Sequence, residues 1–211
     1  MKKFLITAVA LTALTVTIPA SAQNYNRVGV SYELETWNVK HGDNINLNGF
    51  GIDYIHGFGL SKNIPLYLET GLKMSMGFYS DSYRDYEEEE KVEENITKMS
   101  FSVPVNVAYK VNLGNNMSLL PYVGLNFKVN ALANAKVTWK YDDYLDLESE
   151  SETVNLLKGE DSANVFQLGW HLGVGFNYSK FYAGLSYGTD FIKFADGINS
   201  SSFNVTLGYN F

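Results

Sequence analysis

The side chains able to do chemistry are few and scattered. Of three histidines in the 211-residue chain, His41 is the one with a carboxylate two positions away, Asp43. Joined by the hydroxyl of Ser80 or Ser82, they would supply the base, orienting group and nucleophile of a rim-sited enzyme acting on lipid or peptide. No local motif surrounds these four residues, so solvated polar groups are the expectation and no catalytic residue is assigned. The run Glu87, Glu88, Glu89, Glu90, Glu93 and Glu94 offers carboxylates of the kind hard divalent cations take. It lacks the Asp/Asn and Gly spacing of a calcium loop, so a self-repelling solvated segment is expected, with no metal and no cofactor. Cysteine is absent, which removes disulfides, thiolate zinc sites and thiol nucleophiles. A balance of 16 basic against 23 acidic side chains argues against a nucleic-acid partner.

One constellation of charge does share a phase. Arg27, Lys73, Lys98, Lys110 and Lys128 alternate along the chain with apolar neighbours, and so do Glu33, Glu35, Asp53, Glu69 and Asp190. If the alternating segments are strands, these charges lie on one face and the apolar residues on the other. Five of each sign predicts mutual pairing, whereas an ion-selective pore would favour one sign. His171 shares the polar phase and is expected to be a hydrogen-bonded interior residue. His56 falls on the apolar side, where an interfacial role is expected.

The elements that must position these residues are read from period-two segments. They lie near Arg27 to Trp37, Leu47 to Phe58, Leu66 to Phe78, Lys98 to Val111, Leu119 to Ala133, Val165 to Asn177, Phe181 to Phe191 and Phe203 to Phe211. The apolar face of each contains no Lys, Arg, Asp or Glu, as hydrocarbon demands. Connections alternate short and long: Ser61 to Pro65, Leu113 to Met117 and Tyr178 to Lys180 against Asn38 to Asn46, Ser80 to Asn95, Ala135 to Asn164 and Ile192 to Ser201. Three tight turns and four longer loops fit an all-β, eight-stranded, antiparallel up-and-down transmembrane β-barrel with both termini in the periplasm. The long loops carry the acid, including Asp142, Asp143, Asp146, Glu148, Glu150, Glu152, Glu160 and Asp161 in the third. In that loop Tyr141, Tyr144, Val154, Leu156 and Leu157 would allow strand extensions above the membrane.

Residues 1–22 read as a signal peptide: Lys2 and Lys3, an apolar stretch from Phe4 to Ile18, and Ala20-Ser21-Ala22 as the cleavage site. Residues 23–211 would be the barrel domain. Fifteen Tyr, 13 Phe and 3 Trp suit the aromatic girdles of such a barrel. An arginine at Val105 or Leu168 should disturb insertion, and one at Asn106 should do less.

The last segment, Val205, Leu207, Tyr209 and Phe211, resembles the C-terminal strand of outer-membrane barrels. Ser102-Val103-Pro104-Val105 with Tyr109, and Leu120-Pro121-Tyr122-Val123-Gly124, resemble the fourth and fifth strands of the porin-like, PorT-type outer-membrane β-barrel domain. The resemblance implies an eight-stranded barrel in the bacterial outer membrane, often without catalytic activity. It also implies that Tyr209 and Phe211 act as a signal to the barrel-assembly machinery. The expected function is non-enzymatic: a barrel with a side-chain-filled lumen, in contact with outer-membrane lipid and lipopolysaccharide, whose acidic loops meet an extracellular ligand or protein. The alternatives are a narrow porin-like channel for small solutes and the rim-sited enzyme.

Overall fold

The computed structural model describes residues 24–85, 90–141, 149–159 and 162–211. The expected signal peptide lies outside these, as do Glu87, Glu88, Glu89, Asp142, Asp143, Tyr144, Asp146, Glu148, Glu160 and Asp161. Described strands are β1 (Tyr25–Val39), β2 (Ile45–Gly59), β3 (Leu66–Asp85), β4 (Glu90–Tyr109), β5 (Val111–Gly114), β6 (Met117–Tyr141), β7 (Ser149–Asn155), β8 (Phe166–Tyr178), β9 (Phe181–Asp190) and β10 (Ile198–Asn210).

Eight of these form a closed ring of antiparallel neighbours. The sheet runs β4-β3-β2-β1-β10-β9-β8-β6, and β4 pairs with β6 to complete it. First and last strands meet along their whole length, from Arg27 opposite Asn210 to Val39 opposite Ile198. Closure leaves the ring no open edge, so each ring strand has a neighbour on both sides. Of the other two strands, β5 continues β4 along the start of β6 in the same register after a break at residue 110, and β7 pairs with the end of β6. At the β5–β6 turn, Asn115 and Asn116 both have positive φ (50° and 61°), the twist that a two-residue hairpin requires and that asparagine tolerates.

Alternation places the apolar side chains outside. Val30 is 60% exposed, Val123 56% and Leu207 61%, values that in water would leave a belt of bare hydrocarbon around the molecule. Arg27, Glu33, Glu35, Glu69, Lys98 and Lys128 are all buried on the inner side. A surface apolar outside and charged inside is the inverse of a soluble protein and matches a barrel sitting in lipid.

One expectation about the connections is corrected. The segment expected as a loop at Ser80 to Asn95 is mostly strand, because β3 runs to Asp85 and β4 begins at Glu90, whereas Asn38 to Asn46 keeps a turn at residues 40–44 between β1 and β2. Within Ala135 to Asn164, β6 continues to Tyr141 and β7 folds back on it, so the third connection does extend the sheet. Hydrophobic alternation fades above the belt while backbone pairing continues, which is why pattern alone ends these strands early. A register shift opposite Met99 and Ser100 leaves Ala131 without a partner on β4. That bulge reverses the phase of β6, so Leu132 faces out and Ala133 is fully buried within.

Candidate functional site: the barrel lumen and the strand extension

The lumen is filled in layers. At the end holding both the first described residue and Phe211, buried Tyr67, Ala108 and Leu120 pack with Tyr25 and Tyr122. The Tyr25 and Tyr67 rings meet edge to face at 5.3 Å. Below them opens a vestibule of about 660 Å³.

The middle layer is built on Glu69. Its carboxylate accepts hydrogen bonds from the Tyr25 hydroxyl, from Arg27 Nη1 at 3.2 Å and from Asn106 Nδ2 at 3.3 Å. The Arg27 guanidinium also lies 3.9 Å from the centre of the Tyr182 ring. Tyr182 in turn occupies space that Gly175 and Gly184 leave free: a Cβ on Gly184 would stand 2.4 Å from its hydroxyl. Glycine at these inward positions thus makes room for the ring under the arginine. Asn106 Oδ1 meets His171 Nε2. Lys73 Nζ pairs with Glu33 Oε2 at 2.6 Å and bonds Asn204 Oδ1 at 2.5 Å. Asp53 stands opposite Lys73 in the register, on the wall of a small polar cavity of about 90 Å³.

In the upper layer Glu35 accepts from Lys98 Nζ, from Ser200 Oγ at 2.6 Å and from Trp37 Nε1 at 3.0 Å. Lys128 Nζ and Gln167 Nε2 both donate to Asp190 Oδ2, at 2.8 and 2.9 Å. Above these groups an apolar cap closes the barrel: Trp37, Leu47, Ala133, Ala163 and Phe194, with Leu156, Leu157 and Ile198 packed on it. Trp37 stacks on Phe194 with ring centres 4.3 Å apart.

Of the ten charges placed in the lumen from sequence, eight join as four ion pairs: Arg27 with Glu69, Lys73 with Glu33, Lys98 with Glu35, and Lys128 with Asp190. Asp53 lies among them and, among the described residues, makes no direct ion pair. Lys110 lies nearer the barrel end. It sits in the one-residue break between β4 and β5, its N–H donating to the Pro65 carbonyl at 2.8 Å. The register of β4 on β6 continues across it into β5, from Ala108 opposite Tyr122 to Val111 opposite Leu119, and its side chain lines the vestibule with Tyr67 and Leu120.

The rim candidates are not brought together. No hydrogen bond joins His41, Asp43, Ser80 and Ser82 to one another, and His41 and Asp43 are exposed in the turn at residues 40–44. Among the described residues no group of three or more His, Asp or Glu side chains converges to hold a metal. His56 bonds Asn26 through Nδ1 at 2.7 Å and leans on Phe58.

The sequence reading missed the cap. Trp37 continues the inward odd-numbered phase of Arg27 through Glu35, which would have found it. Phe194 lies in a connecting segment with no period, and nothing in the pattern marks it.

Beyond the belt, the ends of β3, β4 and β6 rise together, and β7 joins them as a four-stranded extension. There Glu93 accepts from Lys140 Nζ at 2.8 Å and Lys91 Nζ at 2.9 Å. Hydrogen bonds from Lys140 and Lys91 lower its carboxyl pKa from 4.5 to about 2. A depressed folded value means that the pairing is complete above the ordinary carboxylate range and is lost as pH falls through about 2. A carboxyl-carbon NMR titration should therefore place Glu93 near 2, and in Lys91→Gln/Lys140→Gln the midpoint should return toward 4.5. An unchanged midpoint in the double variant would disprove the assignment of cause.

A closed ring of eight antiparallel strands, charged within and apolar without, defines an integral membrane β-barrel. The chain belongs to the outer membrane protein beta-barrel domain family, whose sequence model matches residues 6–211. It is accordingly a protein of the bacterial outer membrane. Among solved structures it is similar to Ail, the attachment invasion locus protein of Yersinia pestis, with 16% identity, 90% of this chain and 99% of that one covered, and a TM-score of 0.47. It is also similar to Neisserial surface protein A (13% identity, 89% and 97% covered, TM-score 0.41). Outer membrane protein OprG of Pseudomonas aeruginosa is a third (8% identity, 91% and 97% covered, TM-score 0.39). No curated protein is significantly similar to the chain.

Proposed function

We propose that this protein is a non-enzymatic surface barrel of the PorT-type branch of its family. Its lumen is plugged, and its outer end presents the strand extension and acidic loops to lipopolysaccharide and to an extracellular ligand or protein. The observation that carries this reading is the filled interior. Four ion pairs in succession and the Trp37–Phe194 cap stand between the vestibule and the outside. Paired opposite charges under an apolar lid suit a rigid mount better than a conduit.

Residues 1–22 act as the export signal in this reading. Tyr209 and Phe211 are the side chains on and just after β10 that the assembly machinery would grip, and the aromatic outer face meets lipid. The orientation follows from the same reading, with the β7 end outside the cell and the Ser61–Pro65 turn in the periplasm. Because the chain has no cysteine, single cysteines report position cleanly. On intact cells a membrane-impermeant maleimide should label Ser151→Cys, and should label Lys62→Cys only after permeabilisation. The reverse pattern would contradict the proposed surface role.

A further inference from the structure

Above the lipid belt the charges are sorted by face. Cross-strand register aligns Arg84, Lys91, Lys140 and Ser149 in one row, Ser82, Glu93, Thr138 and Ser151 in a second, and Ser80, Asn95, Lys136 and Thr153 in a third. The rows between hold Tyr83, Val92, Trp139 and Glu150, then Asp81, Glu94, Val137 and Glu152, then Tyr79, Ile96, Ala135 and Val154. Tyr79 and Ile96 pack on the apolar cap, so this second set faces the barrel axis and the first faces away from it. Among the described residues the outward face therefore carries four cations and one carboxylate. The axis-facing side carries Asp81, Glu94, Glu150 and Glu152 with no cation.

In a chain of formal charge −7, four of 16 basic side chains thus gather on one wall just above the membrane. Among the described residues the single outward acid, Glu93, is shared by Lys91 and Lys140, and Lys136 makes no ion pair. Lys136 stands four residues beyond Leu132, the last outward apolar residue of β6. With about 3.3 Å per residue and a tilt of about 40°, that is roughly 10 Å above the belt, and Lys140 is roughly 20 Å above it. Arg84 and Lys91 occupy the same zone. A phospholipid headgroup layer is only about 5–8 Å deep on each side of the hydrocarbon. Cations this high overshoot it and stand at the level of sugars that carry phosphate above a glycolipid.

We infer that the outward face of the β3–β4–β6–β7 extension, with Lys91, Lys136 and Lys140 as its ammonium groups, binds the phosphorylated saccharide of outer-leaflet lipopolysaccharide. This rests on the lipopolysaccharide contact proposed above and names its site. The carboxylates on the opposite face are turned away from that anionic layer, which fixes the orientation of the sheet beside it.

The test uses the full barrel, refolded in detergent, with fluorescent lipopolysaccharide as the probe. Each variant is checked for fold by the difference in gel migration between heated and unheated protein. Lys91→Gln/Lys136→Gln/Lys140→Gln should bind at least about tenfold more weakly than the wild type, and Lys136→Gln alone several-fold more weakly. Glu94→Gln/Glu150→Gln/Glu152→Gln should bind no worse than wild type. Dephosphorylated lipopolysaccharide should bind the wild type as weakly as the native form binds the triple lysine variant. Equal binding by wild type and the triple lysine variant would overturn the site while leaving the proposed contact standing. Failure of the wild type to bind would overturn both. Tighter binding of phosphatidylglycerol vesicles or of a soluble acidic polysaccharide than of lipopolysaccharide would assign the face to another occupant and overturn the inference.

Discussion

Glu35→Ala should lower the unfolding free energy of the barrel by about 3–5 kcal/mol, the cost of leaving a buried charge without its partner. The orphan would be Lys98, which is 2% exposed and whose ammonium group finds Glu35 as its ion-pair partner. The same substitution strips acceptors from Ser200 Oγ and Trp37 Nε1, loosening the layer under the cap. Removing both charges in Glu35→Ala/Lys98→Met should recover most of the loss, since an apolar replacement leaves nothing unpaired. Denaturant unfolding in phospholipid, followed by heat-sensitive gel migration, measures both. A loss of less than about 1 kcal/mol in the single variant would show that water reaches Lys98 and that the upper lumen is open.

The second large effect lies on the opposite face. Val105→Arg places a cation in the middle of the outward apolar run of β4, from Met99 to Tyr109, and should cost about 2–4 kcal/mol. Thr97→Arg, on the same outward face near the end of the belt, should cost about 0–1 kcal/mol. Equal costs at the two positions would mean that β4 does not cross a bilayer at this depth. Sequence reasoning would take Asn106 as the tolerant comparison, but the packing disqualifies it. Asn106 is 4% exposed and its amide links Glu69 to His171, so an arginine there has no room and breaks the middle layer.

How much was legible follows from what carries the signal. Inside the bilayer each strand must present hydrocarbon on one side, so Val28, Val30 and Tyr32 against Arg27, Ser31 and Glu33 report strand and phase together. Ring closure followed as well, because lipid admits no open edge. Above the bilayer that demand lapses. Residues 79–85 and 90–96 pair backbone to backbone with polar side chains on both faces, and a period-two reading sees only a loop. The bulge at Ala131 was invisible for a related reason: its two flanks each alternate, and only the partner strand shows that they are out of step.

Phase puts the ten charges on one face and their balanced signs predict pairing, but neither names which partners meet. Arg27 meets Glu69 two strands away, and Glu35 on β1 meets Lys98 on β4, contacts set by barrel curvature. Phe194 illustrates the remaining gap, since a single aromatic in an irregular segment gives no hint that it will seal a barrel.

The most direct test of the plugged barrel is single-channel conductance of the refolded protein, residues 23–211, in a planar bilayer. With folded protein demonstrated by its gel migration, the paired lumen and the Trp37–Phe194 cap predict no current steps. Reproducible steps of defined size would contradict the account and make the protein a narrow channel, with Lys73, Lys128, Glu33 and Asp53 as the residues whose replacement should then change its selectivity.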